Sequence, residues 1–166
     1  MSNKKTPIFI LNDQGTCDFS DIAKSLNESK DYIVVNGNTF CNFPLELAYL
    51  RNEWLKVCFE ISEKIGLPIV INASLMPTTI KNLDNAKLFS DIHFIATVSD
   101  NNRFTQRYNE LNITNNDWIT PARMSNDYLR EHAQTEYPEM KVFDISDMSL
   151  SEAVAEIDAF IRERIS

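Results

Sequence analysis

Five short hydrophobic runs that lie far apart stand out along this chain. Each run is rich in β-branched or aromatic residues, and apolar residues follow one another with little alternation. This pattern is typical of strands buried on both faces of a parallel sheet. The runs are residues 8–11, 32–35, 69–71, 93–98 and 142–145.

Helical patterns occupy the gaps between these runs. The longest begins near Pro44, with apolar side chains at spacings of three and four, and Gly66 follows as a C-terminal cap. Its predicted buried face consists of Leu47, Leu50, Trp54, Cys58, Ile61 and Ile65.

Three further helices are predicted from their capping residues. Ser149 and Glu152 form a capping box before a final helix with Val154, Ile157, Ile161 and Ile165 on one face. Asp100 is expected to cap a helix through Leu111, and Ser125 or Asn126 another through about Ala133.

Alternating strands and helices indicate βαβ crossovers. We therefore predict an α/β fold, a three-layer sandwich around a five-stranded parallel sheet. The length of 166 residues favours a single domain over 1–166.

Composition excludes several classes of function. Three glycines, more than twenty positions apart, cannot form an intact dinucleotide fingerprint or a phosphate-binding glycine loop. The net charge of −8 and the lack of a basic stripe argue against nucleic-acid binding. No segment is long and apolar enough for a membrane span or a signal peptide, so we expect a cytoplasmic protein with reduced thiols. The spacing of the three cysteines and two histidines predicts no metal site.

Ligands of such sheets bind at the carboxyl ends of the strands. The residues that follow the predicted strands are mostly amides and hydroxyls, which fix ligands by hydrogen bonds but are poor Mg²⁺ ligands and cannot act as general bases. Polar residues also end strands without any ligand, so this alternative stays open. The candidates are Asn12, Asp13, Asn36, Asn38, Asn72, Ser74, Ser99, Asp100 and Ser146.

The first strand and the following segment, through Asp21-Ile22-Ala23-Lys24, resemble the strand, phosphate loop and first helix of P-loop nucleoside and nucleotide kinases. In that alignment Ser20 corresponds to the hydroxyl of G-x-x-x-x-G-K-[ST] and Phe19 to its lysine. Asp13 and Asp18 correspond to the two glycines. The resemblance thus implies a kinase-like fold in which the positive charge of the motif's lysine is missing.

The resemblance continues along the chain. Val35-Asn36-Gly37-Asn38 corresponds to an acidic strand end of the family, and Arg51 to Leu55 to an arginine and tryptophan segment. Arg103 and Arg107 correspond to the arginines of a lid, which implies a lid-like segment at about 101–135. Asp144 and Ser146 precede the last helix as in those proteins.

The altered loop argues against triphosphate binding. Two like charges about 4 Å apart repel by roughly 4 kcal/mol at an effective dielectric near 20. A helix N-terminus returns only about 0.3–1 kcal/mol, and up to about 2 at best. We therefore expect no cofactor, and neither ATP nor Mg²⁺ in the usual pose.

Several side chains have two interpretations. Arg51, Arg103 and Arg107 either hold an anion or form surface ion pairs. Trp118 either shields a ligand or packs against the sheet edge. Trp54 is expected in the core, and Cys17 is expected to be unreactive because nothing basic lies beside it in sequence.

These observations lead to one main hypothesis and two alternatives. The main one is a catalytically degenerate P-loop kinase-like protein that binds a small molecule or a protein partner without hydrolysing ATP. The first alternative is a nucleoside- or nucleotide-type phosphotransferase with a relocated phosphate site built from Arg51, Arg103 and Arg107. The second is a structural module, a homodimer through the exposed face of the long helix.

Overall fold

The computed structural model describes residues 6–13, 19–37 and 47–165. Five strands form one parallel sheet in the order β2-β3-β1-β4-β5. They are β1 (Ile8–Asn12), β2 (Ile33–Asn36), β3 (Ile69–Asn72), β4 (Ile92–Val98) and β5 (Met140–Asp144). The helices are α1 (Phe19–Leu26), α2 (Leu47–Ile65), α3 (Pro77–Lys81), α4 (Asn101–Glu110), α5 (Asn116–Glu136) and α6 (Leu150–Ile165), and a 3₁₀ turn spans Asp84–Leu88.

The sheet is buried between two helical layers. Every residue of β1 and β3 is buried, as the continuous apolar runs predict. Helices α1 and α6 cover one face, with Ile22, Ile157 and Ile161 in that core. Helices α2, α3 and α5 cover the other. The predicted three-layer α/β sandwich with five parallel strands is confirmed.

The predicted caps of three helices are also present. The Asp100 carboxylate accepts a hydrogen bond from the backbone N–H of Arg103 at 2.7 Å. At α6, the Ser149 N–H donates to Glu152 at 2.8 Å and the Glu152 N–H to the Ser149 hydroxyl at 3.3 Å, a complete capping box. Gly66 follows α2 with φ +76°, a backbone conformation that favours glycine.

The predicted start of the fifth helix is wrong. α5 begins at Asn116, and the side chain of Asn115 caps it by accepting from the N–H of Asp117. Neither Ser125 nor Asn126 is a cap. Asn126 is fully buried in the middle of the helix, where its side chain bonds the backbone of Ser99, directly after β4, instead of the helix end.

The predicted buried face of α2 is correct only in part. Trp54 and Cys58 are in the core, together with Leu55. Ile61 and Ile65 are exposed instead, because Ser62 takes the buried position near the end of the helix. Its hydroxyl donates to the carbonyl of Leu67 at 2.7 Å, which ties the end of α2 to the start of β3.

In the described part of the chain, no helix is both long and apolar enough to cross a membrane.

Candidate functional site

Six polar residues are buried at the carboxyl edge of the sheet, the side where the strands end. Asn12 and Asn72 end the neighbouring strands β1 and β3, and Asn12 lies opposite Ala96 of β4 in the register. Because the strands are parallel, their last residues meet at one edge, as the sequence predicts. The six are Asn12, Asp13, Asn72, Thr97, Ser99 and Asn126.

Asn12 is fully buried, and only one of the two polar atoms of its side chain has a hydrogen-bond partner among the described residues. Its Nδ2 donates to the carbonyl oxygen of Leu75 at 2.7 Å, whereas its Oδ1 has no donor among the residues that the structure describes. A buried acceptor without a partner costs about 1–3 kcal/mol. Asn12 therefore presents an acceptor that a water or a ligand N–H or O–H can satisfy.

Asp13 follows Asn12 and is fully buried as well. The hydroxyl of Thr97, on the adjacent strand β4, donates to Asp13 Oδ1 in a short hydrogen bond. Thr97 was not among the predicted site residues, since nothing in the sequence distinguishes it except its place near the end of a buried run.

Asn126 joins α5 to the end of β4. Its Oδ1 accepts from the N–H of Ser99 at 2.8 Å, and its Nδ2 donates to the carbonyl of Ser99 at 2.8 Å. These two hydrogen bonds form a clamp between α5 and the residue after β4, and they hold together the two ends of the segment 99–126, which contains α4. The sequence does hold a signal, because Asn126, Leu129 and Ala133 are spaced by three and four and are all buried.

A second group of bonds joins the ends of β4 and β5. The N–H of Asp100 donates to the hydroxyl of Ser146 at 2.8 Å, and Ser146 bonds to Asp144, which pairs with Arg130 of α5 at 3.3 Å. Burial raises the pKa of Asp144, but the hydrogen bonds from Ser146 and the charge of Arg130 outweigh it, so the pKa is lowered overall. Asp100, Asp144 and Ser146 thus hold the edge together.

The three candidate arginines lie in different environments. Arg107 of α4 pairs with Asp21 of α1 at 3.2 Å and with Glu110 at 3.0 Å. Arg103 lies on the same helix and donates its backbone N–H to Asp100. Arg51, in the first part of α2, has no ion pair within the described ranges, and its buried Nε has no acceptor there.

Asn36 lies opposite Asn72 in the sheet register, so both are at the carboxyl ends of their strands. Asn36 is exposed at the end of the edge strand β2, and Ser20 belongs to the first turn of α1. Asn38 and Cys17 lie outside the described residues.

The two tryptophans differ sharply in their exposure to solvent. Trp54 is buried, and a Cβ added to Gly37 would lie 2.6 Å from its ring, so close packing against the end of β2 requires glycine there. Trp118 is 70% exposed in the first turn of α5, so packing against the sheet edge is not observed. Further along α5, Arg123 lies over the Phe104 ring at 5.1 Å and bonds Asn101 at 2.5 Å, which joins α5 to α4.

Within the described ranges, no three histidine, cysteine, aspartate or glutamate side chains form a group that could hold a metal ion.

Comparison with solved structures identifies the architecture. A tunicamycin resistance protein from Deinococcus radiodurans matches with a TM-score of 0.64 and 16% identity, over 95% of this chain and 96% of that one. A gluconokinase from Sinorhizobium meliloti 1021 matches with a TM-score of 0.63 and 13% identity, over 98% and 95%. The fold is that of the P-loop nucleotide kinases. A thymidylate kinase from Candida albicans also matches, with a TM-score of 0.56 and 10% identity over 96% and 92%.

No protein-family model matches the sequence, and no curated protein matches it either. At identities of 10–16% the structural matches bear on the fold alone.

Proposed function

We propose that this chain is a P-loop-kinase-like protein that binds a ligand at the carboxyl edge and does not transfer phosphate. The observation that carries the proposal is the burial of Asp13 directly after β1. β1 ends at Asn12 and α1 begins at Phe19, so six residues, 13–18, connect them. G-x-x-x-x-G has the same length, which supports the alignment of Asp13 with the first glycine.

The charge at this position opposes polyphosphate binding. If Asp13 is ionised, it repels a phosphate charge about 4 Å away by roughly 4 kcal/mol at an effective dielectric near 20. If it is protonated, it still supplies no positive charge. Phe19, in the position of the motif's lysine, supplies none either. We therefore infer that ATP with Mg²⁺ is not held in a reactive pose.

The buried amide of Asn12 supports a retained binding role. An unmet acceptor at the end of a central strand favours a ligand that carries N–H or O–H donors. The chemical partner is thus a neutral or cationic donor group rather than a phosphate.

One observation favours the phosphotransferase alternative. The buried Nε of Arg51 has no acceptor among the described residues, and an anionic ligand could accept from it. This alternative also needs Arg107, whose guanidinium pairs with two carboxylates. Loss of turnover in Arg51→Gln would support it.

A turnover assay tests the absence of phosphoryl transfer. We expect no phosphate release from ATP with Mg²⁺ by the wild type or by Ser20→Ala. Turnover by the wild type that disappears in Ser20→Ala would contradict the proposal.

A thermal-shift panel tests ligand binding. It contains nucleosides, nucleoside mono-, di- and triphosphates, and phosphate. A ligand at a hundred times its Kd adds about 2.7 kcal/mol, a rise of roughly 5–10 °C for a domain of this size. We expect a shift from an uncharged member that Asn12→Leu abolishes, and none from the triphosphates. A shift that survives in Asn12→Leu would place binding elsewhere.

A further inference from the structure

Arg107 connects α4 to α1, two helices that each follow a strand at the carboxyl edge. From α4 its Nη2 contacts Asp21 Oδ2 of α1 at 3.2 Å, while its Nη1 contacts Glu110 Oε2 of its own helix at 3.0 Å. The Arg107 side chain is 25% exposed, compared with 38% for Asp21 and 42% for Glu110. The Arg107 side chain is therefore mostly covered, and its guanidinium faces two carboxylates.

The contact with Asp21 lies at the start of α1. Asp21 is the acidic residue of the first turn of this helix, two positions after Phe19. The N-terminal turn of a helix favours negative charge, because its backbone N–H groups lack acceptors within the helix. The Asp21 carboxylate therefore has two favourable interactions, one with the N-terminal turn of α1 and one with the guanidinium of Arg107. Both would also favour a bound anion.

Arg107 is one of the three arginines, with Arg51 and Arg103, that the phosphotransferase alternative uses as an anion clamp. In the structure its Nη2 meets a carboxylate of the protein itself. A carboxylate and a phosphate oxygen accept the same charge-assisted hydrogen bond from arginine. An incoming anion must therefore displace Asp21 and approach its negative charge.

We propose that Asp21 is an internal substitute for an anionic ligand, which occupies Arg107 and makes the carboxyl edge select against phosphate. The inference rests on the proposed ligand-binding function and specifies its selectivity. It assigns Asp21 the role of a specificity-determining residue, one that acts by excluding a ligand class.

A purely structural role for this pair predicts a different result. A partly exposed ion pair contributes little to stability. If the Arg107 guanidinium lies away from any ligand site, loss of its pairing with Asp21 also leaves the affinity for a small anion unchanged. Affinity for an anion, rather than stability, therefore separates the two roles.

Calorimetric titration with pyrophosphate, without Mg²⁺, provides the test. The variants are Asp21→Asn, Asp21→Ser and the double variant Asp21→Asn with Arg107→Gln. Asp91→Asn is the control, because it removes one exposed negative charge before β4, at the opposite edge of the sheet. We expect both single Asp21 variants to bind pyrophosphate at least ten-fold more tightly than the wild type. The double variant and Asp91→Asn should stay within about two-fold of the wild type.

Two results would overturn the inference. One is an Asp21→Asn protein, folded by its thermal transition, that binds pyrophosphate no more tightly than the wild type. The other is an equal gain in the double variant, since Arg107 would then play no part. Asp21→Ser provides the same comparison where the asparagine variant does not fold.

The proposed function fails on a separate observation. Turnover of ATP by the wild type would overturn it whatever the pyrophosphate affinities are. A failed gain in Asp21→Asn, with a wild type that is inactive, would overturn the selectivity inference alone.

Discussion

The two edges of the sheet bury polar groups in different ways. At the amino edge, the Ser62 hydroxyl donates to the Leu67 carbonyl and bonds the Thr6 hydroxyl at 2.6 Å. Nearby, the Tyr32 hydroxyl donates to Asp158 at 2.6 Å, and Arg162 pairs with Asp158 and Asp31. At the carboxyl edge, Asn12 Oδ1 has no donor among the described residues.

The difference distinguishes buried polar groups that bond one another from buried polar groups that can still bond a ligand. A buried network whose members bond one another stabilises the fold and leaves nothing for a ligand. A buried acceptor without a donor carries a free-energy cost that a bound molecule can remove. The carboxyl edge is therefore the better candidate site, although both edges are rich in polar residues.

The largest expected loss of stability is at the clamp between α5 and β4. Asn126→Ala removes two hydrogen bonds of 2.8 Å and leaves the N–H and C=O of Ser99 without these partners. We expect the free energy of unfolding to fall by about 2–4 kcal/mol, measured by urea denaturation. Ser125→Ala is the control, and a change there of more than about 0.5 kcal/mol would weaken the assignment.

A matched pair of hydroxyl deletions compares the edges directly. Thr97→Val removes the donor to Asp13, and Ser62→Ala removes the bridge between Thr6 and Leu67. Each should cost about 1–3 kcal/mol, because each removes a fully buried hydroxyl together with its hydrogen bond. If urea denaturation shows either variant to be as stable as the wild type, that edge does not depend on its hydroxyl.

The smallest expected effect depends on pH. Burial, and then the hydrogen bond to Asp158, raise the pKa of Tyr32 well above its usual value of 10. The neutral phenol therefore stabilises the folded state fully below about pH 10, and this contribution is lost as the pH rises further. Tyr32→Phe should cost about 0.5–1.5 kcal/mol at pH 8.

The same variant should lose less stability than the wild type between pH 9 and pH 11. Urea denaturation of both proteins across this range measures the difference. A constant gap between them would show that Tyr32 does not ionise on unfolding.

The sequence predicts the layers of this fold well, because continuous apolar runs mark strands buried on both faces. Residues 8–11 and 69–71 fall inside the central strands β1 and β3. Helix ends were harder to predict. Asn126 is a common capping residue type, but its contact with Ser99 across the fold decides its place.

The location of the candidate site could be predicted from the sequence, but the contacts between its side chains could not. Parallel strands bring Asn12 and Asn72 to one edge, which the order of strands and helices already implies. The pairing of Arg107 with Asp21 depends on where the fold places α4 relative to α1, and the two residues are 86 positions apart. Sequence spacing carries no information about such a contact.

Restoring the lost motif tests the central claim most directly. Calorimetry would compare ATP binding, with Mg²⁺, by the wild type and by a variant carrying Asp13→Gly, Asp18→Gly and Phe19→Lys. We expect no measurable binding by the wild type and clear binding by the variant, because the scaffold is kinase-like, the charges of Asp13 and Asp18 are gone and a lysine is added, while the Asp21–Arg107 pair is kept and only weakens this binding. Tight binding of ATP by the wild type, or none by a folded variant, would contradict the account.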